Sequence, residues 1–432
     1  MYENQLKESY KQLPKVLIFE HPPINKNGIG KTLYAFFYNW SKERLGQVYS
    51  VDLPIDENLC QYFYISEVGV STNNTVESRE KRENYRNSKF FHILSNFSHS
   101  DIGVLVRNLK YKQMIAKNRG INKWIDEFNP DCIFYGIGEI INENDYVLKL
   151  AKSRGIPLLI YISDDYMTKW NKKNKYKKYA RNLYESYVEA LNYSSLIVVI
   201  SEKMRELYKR QFPNCKYLVA SNSSICKRNL PISYKHSNDI IRFSYTGNLG
   251  FGRWKMLEKF AEAIEIFNES NKHDTKLELA IYSQERPDDE ILSAITSQYC
   301  FYKGNVVGNE LDDARINSDV LLLVESFEKQ YESVLSTALS TKVPEYLSYG
   351  KLILAWAPKY AWSFDYLEQN GAAYCISEET IEDKLTSFVD QYEENQLLKI
   401  VENGNNLFDK KHEFMENASN FAHAIYSAVM ES

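Results

Sequence analysis

The chain is predicted to be an α/β protein with two Rossmann-like domains, each a parallel sheet wrapped by helices. Short apolar runs alternate with longer helix-patterned stretches along nearly all of its length, as strand–crossover–strand units require. The alternation occurs twice, on either side of segment 226–239, which has little apolar periodicity and contains Pro231. A length of 432 residues also exceeds what one compact core holds and fits two domains of roughly 100–200 residues each.

In the first half the candidate strands are 15–19, 47–51, 61–65, 132–135, 158–162 and 196–200. The second half contributes 240–246, 276–282, 299–303, 320–324, 352–356 and 373–376. The expected domains are 1–225 and 240–412, with 226–239 as the hinge and a ligand site in the cleft between them. Residues 413–430 place Phe414, Asn417 or Ala418, Phe421, Ile425 and Val429 at helical spacing, so the tail 413–432 is an amphipathic helix free to pack back on the N-terminal domain.

Hydrophobic residues make up 44% and charged residues 25%, an ordinary globular composition that excludes extensive disorder. A net charge of -4 excludes bulk attraction to nucleic acid and leaves only local basic surfaces to consider. The six cysteines are scattered without a paired spacing, which argues against a zinc site or a disulfide framework and favours the reducing cytoplasm. The polar start lacks the apolar core of a signal peptide, and no apolar run reaches the roughly 18–20 residues that span a bilayer.

Residues 337–358 read as an anion-binding helix start that feeds a buried strand. Ser340 or Thr341 can cap a helix whose first free N–H groups would hold a phosphate, and Lys342 adds a mobile positive charge beside them. Pro344 fits the first turn and Gly350 the stop. Glu345 lies one turn in, where its carboxylate can accept bonds from two neighbouring hydroxyls, as on a ribose. A nucleoside diphosphate is the implied ligand; an ordinary capped helix before a core strand is the competing reading.

Strand 240–246 runs into Gly247, Asn248, Leu249, Gly250, Phe251 and Gly252, then Arg253 and Lys255 at the start of a long helix. The glycines let backbone approach a ligand closely, and the two cations can neutralise a diphosphate leaving group. In the first half, His21, Gly28 and Gly30 sit between a strand and a helix, with Gly30, Lys31 and Thr32 matching the end of a P-loop. A P-loop needs a glycine five positions before Gly30, where Asn25 stands, so an ATPase is not supported. His21 is either a substrate contact or a structurally bonded loop histidine.

Together, the glycine loop and the helix carrying Thr341, Lys342, Pro344 and Glu345 resemble retaining glycosyltransferases of the GT-B fold, particularly family 4, over most of the chain. Pro130–Asp131 before a strand, Val199–Ile200–Ser201 at a strand end, the turn from Tyr302 to Val306, and Asp319 opening a strand belong to the same resemblance. It implies that Gly247, Asn248, Arg253 and Lys255 bind the diphosphate, that Val306 meets the base through its backbone, and that Glu345 holds the ribose. It also implies that the Gly28 and Gly30 loop faces donor phosphates and acceptor. The family places a second glutamate eight positions before the ribose-binding one, and Thr337 stands there. The donor-sugar contact would then fall to Glu325 or Glu332 in the preceding loop, if these are not merely solvated charges.

The resemblance implies transfer of a sugar from a nucleoside diphosphate sugar, with UDP favoured, to a hydroxyl of a glycan acceptor. Configuration would be retained, and no metal or other cofactor would be needed. Arg253, Lys255 and Lys342 would stabilise the leaving diphosphate. Asp164 and Asp165 follow strand 158–162 at its carboxyl end, where ligands gather, and one of them can orient or deprotonate the acceptor. Magnesium binding and simple helix capping are their alternative roles. The rival activities are a nucleotide-sugar epimerase or hydrolase, and a non-catalytic partner subunit.

From Lys169 to Arg181 there are seven positive charges and no negative one. Between residues 102 and 124, Arg107, Lys110, Lys112, Lys117, Arg119 and Lys123 accompany Leu105, Leu109, Met114 and Ile115. Such segments suit an anionic membrane, at about 1 kcal/mol per near-surface charge, or are simply solvated faces. A lipid-linked acceptor at the inner face of the plasma membrane is the matching expectation. Nucleic acid is not expected, since no binding module accompanies the charges.

Overall fold

The computed structural model describes residues 13–432 apart from 20–21, 27–29, 51–54, 66–100, 119, 225–238, 271, 285 and 395. The chain forms two compact units, Met1–Ala220 with Glu416–Ser432, and Ser221–Met415.

The first unit holds a seven-stranded sheet in the order β3-β2-β1-β4-β5-β6-β7. Its strands are β1 Val16–Phe19, β2 Leu45–Tyr49, β3 Gln61–Tyr64, β4 Cys132–Gly136, β5 Leu158–Ile162, β6 Leu196–Val199 and β7 Tyr217–Val219. All pairings are parallel, which explains why β1, β5 and β6 are apolar at every position: both faces are covered. One face packs Leu17, Ile133 and Ile160 beneath the helices Ile141–Arg154 and Lys177–Tyr193. The other packs Ile18, Phe134 and Leu159 against Phe36, Phe37 and Trp40, and against Phe421 and Ile425 of the terminal helix Phe414–Met430. Phe421 stacks on Phe36 at 4.8 Å between ring centroids and meets Phe37 edge-on at 5.3 Å. Burying side chains of this size is worth about 1.5–3 kcal/mol each.

The second unit holds a six-stranded parallel sheet in the order β10-β9-β8-β11-β12-β13. These strands are β8 Ile240–Thr246, β9 Lys276–Tyr282, β10 Cys300–Gly304, β11 Val320–Val324, β12 Leu352–Trp356 and β13 Tyr374–Ile376. Strands β11 and β12 are wholly buried and separate two apolar cores.

Each expected strand exists, with ends shifted by one or two residues in several of them. The second lies at Leu45–Tyr49 instead of 47–51 and includes Gly46, which packs against Phe128: a Cβ there would stand 3.0 Å from its ring. Strand β10 extends to Gly304, whose φ of +80° accompanies a register shift against β9. The chain crosses to the second unit after Ala220 and returns after Met415. The sequence assigns 221–225 to the first domain and 413 onward to the tail, whereas Ser221–Ser224 and Glu413–Met415 belong with the second unit. Ser224 bridges in parallel to Glu413 and its Oγ bonds Ser348 Oγ at 3.2 Å, while His412 Nδ1 lies 2.9 Å from the Asn222 carbonyl. The hinge expected at 226–239 falls almost wholly outside the described residues. Among the described residues no helix is long and apolar enough to cross a membrane.

Candidate functional site

In the second sheet the strand order reverses between β8 and β11, the point where a parallel sheet leaves a crevice at its carboxyl edge. Gly247 follows β8 and Glu325 follows β11, so the topology delivers both to that crevice. Helix Lys342–Leu347 brings Lys342 onto Gly247: a Cβ on residue 247 would come within 2.2 Å of Lys342 Cε and 2.8 Å of Nζ. Only glycine leaves room for the lysine. Gly252 is constrained twice, by a φ of +72° and by Ser326 Oγ, which a Cβ would approach to 2.6 Å.

Lys342 is 8% exposed, so it is not the mobile surface charge expected from the sequence. Its ammonium lies 5.2 Å from the Tyr245 ring centroid, and no hydrogen bond or ion pair holds it among the described residues. Burial, and then the nearby Arg253 charge, lower its pKa to about 8. An unpaired buried ammonium is costly, and an arriving anion would relieve it.

The other cations are partnered. Arg253 opens the helix Arg253–Glu269, and its guanidinium grips Glu325 through two bonds, Nε–Oε2 at 2.8 Å and Nη2–Oε1 at 3.2 Å. Glu325 is 2% exposed, which removes the reading of it as a solvated loop charge. Glu332 does lie at the surface, and Thr337 is buried. Lys255 is bonded to Glu328 at 2.6 Å on the exposed side of its helix. Asn248 turns its side-chain oxygen back onto the N–H of Gly250, so it braces its own loop.

Of the two expected caps on the Lys342–Leu347 helix, Thr341 forms none and Ser340 forms only a long one. Thr341 already has helical backbone angles and makes no side-chain cap bond, while Ser340 Oγ reaches the Lys342 N–H only at 3.4 Å. The helix has six residues, so its dipole is short and Lys342 is the stronger anion-attracting feature. One turn on, Glu345 Oε2 accepts a 2.6 Å bond from Arg315 Nη2. Arg315 is 5% exposed, and its Nε donates to Thr246 Oγ1 at 3.1 Å. Nothing in the local sequence marks Arg315, which sits in the polar helix Asn309–Ile316 and reads as solvated. Val306 is half-buried just beyond Gly304 and lines a cavity with Ser244, Tyr282 and Asn305.

In the first unit the order reverses between β1 and β4. Glu139 follows β4 and was not anticipated; it accepts bonds from Lys169 Nζ at 2.7 Å and Trp170 Nε1 at 2.9 Å. The adjacent aspartates divide their roles. Asp165 Oδ1 caps the helix Tyr166–Asn171 through the Thr168 N–H and also accepts from Tyr208 Oη, each at 3.2 Å, so it is structural. Asp164 accepts from Ser163 Oγ at 3.0 Å, and burial raises its pKa against the opposing pull of Ser163 and Lys169. Gly30 is sterically required, since a Cβ there would meet the Pro23 carbonyl oxygen at 2.1 Å. His21 and Gly28 lie outside the described residues.

The basic stretch is less free than its sequence suggests: Lys169 pairs with Glu139, Lys173 with Asp101 and Arg181 with Glu185. Lys172, Lys175, Lys177 and Lys178 remain exposed. The Lys173 pair joins this stretch to the start of helix Asp101–Lys117, where Ile102, Val106 and Leu109 are 55%, 37% and 72% exposed. Their spacing puts all three on one helix face.

No protein-family model and no curated protein matches the sequence. The structure is nevertheless similar to that of HepE from Anabaena in complex with UDP-glucose, with a TM-score of 0.57 and 9% identity over 96% of this chain and 100% of that one. The fold is GT-B. An α,α-trehalose 6-phosphate synthase from Burkholderia multivorans shares it, with a TM-score of 0.61 and 9% identity over 96% of this chain and 97% of that one. So does a glycosyltransferase from Rickettsia africae, at 0.57 and 12% identity over 97% and 100%. In this GT-B chain the described Lys342, Glu345, Arg253 and Glu325 all belong to the second Rossmann-like domain.

Proposed function

We propose that this GT-B protein is a retaining glycosyltransferase of the family 4 type that carries a sugar from a nucleoside diphosphate sugar, UDP first among them, to a glycan hydroxyl. The buried, unpaired ammonium of Lys342, seated on Gly247 at the strand switch point, carries the reading. A preorganised cation in a low-dielectric site stabilises the negative charge that develops on a leaving diphosphate, without reorganisation and without a metal. HepE, which shares the fold, was solved with UDP-glucose, which supports a nucleotide sugar as donor.

In this reading Gly247 lets backbone N–H groups approach the diphosphate, Glu345 takes the ribose hydroxyls and Val306 meets the base. Glu325, held by Arg253, stands in for the glutamate absent at Thr337 and contacts the donor sugar. Asp164 is assigned to the acceptor hydroxyl, its raised pKa making it a better proton acceptor than an ordinary aspartate. The apolar stripe Ile102, Val106 and Leu109, flanked by Lys110 and Lys112, supports docking on an anionic membrane that presents a lipid-linked acceptor in polysaccharide assembly.

Titration with UDP, ADP and GDP, followed calorimetrically, tests the donor site. UDP is expected to bind to the wild type and to lose at least about tenfold in affinity in Lys342→Ala, the scale of a charge-assisted contact. A folded protein that binds no nucleoside diphosphate would end this reading. Incubation with labelled UDP-sugar alone separates transfer from epimerisation or hydrolysis, which would convert the donor with no acceptor present.

A further inference from the structure

We infer that Arg315 is a positioning residue that makes the donor site select ribose over 2′-deoxyribose, by fixing the Glu345 carboxylate in the orientation a vicinal diol requires. The inference rests on the donor reading above and concerns a residue to which that reading gives no part.

Arg315 is the single buried residue of the helix Asn309–Ile316, which is otherwise polar and surface-lying. Taking a guanidinium out of water costs several kcal/mol, and an alanine at this position would avoid that cost. The group is instead held by two hydrogen bonds and lies beside two aromatic rings. Nε donates to Thr246 Oγ1 at the end of β8, and Nη2 donates to Glu345 Oε2 at 2.6 Å. The guanidinium carbon lies 5.7 Å from the Tyr346 ring centroid and 5.4 Å from that of Tyr349, whose hydroxyl bonds Asp312 on the same helix as Arg315. Strand end, helix Lys342–Leu347 and helix Asn309–Ile316 therefore converge on one planar cation.

The Glu345 side chain is 19% exposed, so it is not sealed beside its partner. A carboxylate accepts bonds at both oxygens along about four lone-pair directions, so a short bond at Oε2 orients it without exhausting its capacity. Adjacent ribose hydroxyls are two donors at fixed separation, and they reward an acceptor whose plane is fixed in advance. A glutamate with free χ3 would lose that advantage to entropy. A 2′-deoxyribose supplies one donor fewer.

Calorimetric titration of the wild type, Arg315→Ala, Arg315→Lys and Thr246→Val with UDP and 2′-deoxy-UDP tests the inference. The wild type should favour UDP by about tenfold, one charge-assisted hydrogen bond. Arg315→Ala should weaken UDP by a similar factor while 2′-deoxy-UDP changes far less, bringing the ratio towards one. Arg315→Lys should recover part of the ratio. Thr246→Val, which keeps the ion pair but removes the Nε acceptor, should lower the ratio and answers the question if Arg315→Ala does not fold. An undiminished ratio in Arg315→Ala and Thr246→Val, or equal loss for both nucleotides, would overturn the inference and leave the donor site standing. A wild type that binds both nucleotides equally would overturn it together with the ribose role of Glu345. No nucleotide binding at all would instead end the donor reading beneath it.

Discussion

Replacing Lys342 with methionine should make the empty protein more stable and weaken nucleotide binding by at least about tenfold, and the two effects share one origin. The ammonium is buried, with Arg253 as the next contributor lowering its pKa and Glu325 and Glu345 only partly opposing them. The shift from 10.5 to about 8 corresponds to roughly 3 kcal/mol against the charged form at pH 7. The unfolded chain holds this proton up to pH 10.5 and the folded chain only to about 8, so wild-type stability should rise with pH between those values. Methionine fills similar volume without charge, so Lys342→Met should gain up to about 3 kcal/mol near neutrality, less at higher pH. Binding has the opposite requirement. A diphosphate needs the ammonium protonated, so UDP affinity should be level from pH 7 to about 8 and then fall about tenfold per unit. Urea unfolding of both proteins at pH 7 and 9.5, with UDP titration across the same range in two buffers of different ionisation enthalpy, reads stability, affinity and proton uptake. A Lys342→Met protein less stable than the wild type, or a wild-type affinity level to pH 9.5, would refute the argument.

Glu325→Gln, at a 2% exposed position, leaves the largely buried Arg253 guanidinium without its counter-charge and should cost about 3–5 kcal/mol in urea unfolding. Gly247→Ala puts a methyl 2.2 Å from Lys342 Cε; it should fold, displace the lysine, and weaken UDP binding by at least about tenfold in the same titration. His412 is buried between the Asn222 carbonyl and the Tyr366 hydroxyl, and burial lowers its pKa to about 4. Because the unfolded chain takes up this proton from pH 6.5, the wild type should lose roughly 3 kcal/mol relative to His412→Gln as pH falls from 6.5 to 4.

The sheets were legible because parallel strands covered on both faces must be apolar at nearly every position, a signal that survives without any alignment. Strand β7 escaped because its three residues are only half-buried at a sheet edge, where the apolar demand is weak. In the site, the glycine loop and the Lys342–Glu345 segment were visible because both depend on local backbone chemistry. Arg315 and Glu139 were not, since each matters through partners brought by the fold: Thr246 and Glu345 in one case, Lys169 and Trp170 in the other. Asp164 and Asp165 are indistinguishable as neighbours in sequence. Only the direction of each side chain separates Asp165, the helix cap, from Asp164, which accepts from Ser163 Oγ instead.

The terminal helix gives the chain an order of assembly. Phe421 and Ile425 complete the apolar layer over Phe36, Phe37 and Trp40, yet they emerge from the ribosome only after the whole second unit has been made. Until then the nascent first unit carries an uncovered aromatic face, a surface of the kind that chaperones bind and that drives aggregation. The first 220 residues expressed alone should therefore be poorly soluble, and a peptide spanning 414–432 supplied in trans should rescue them.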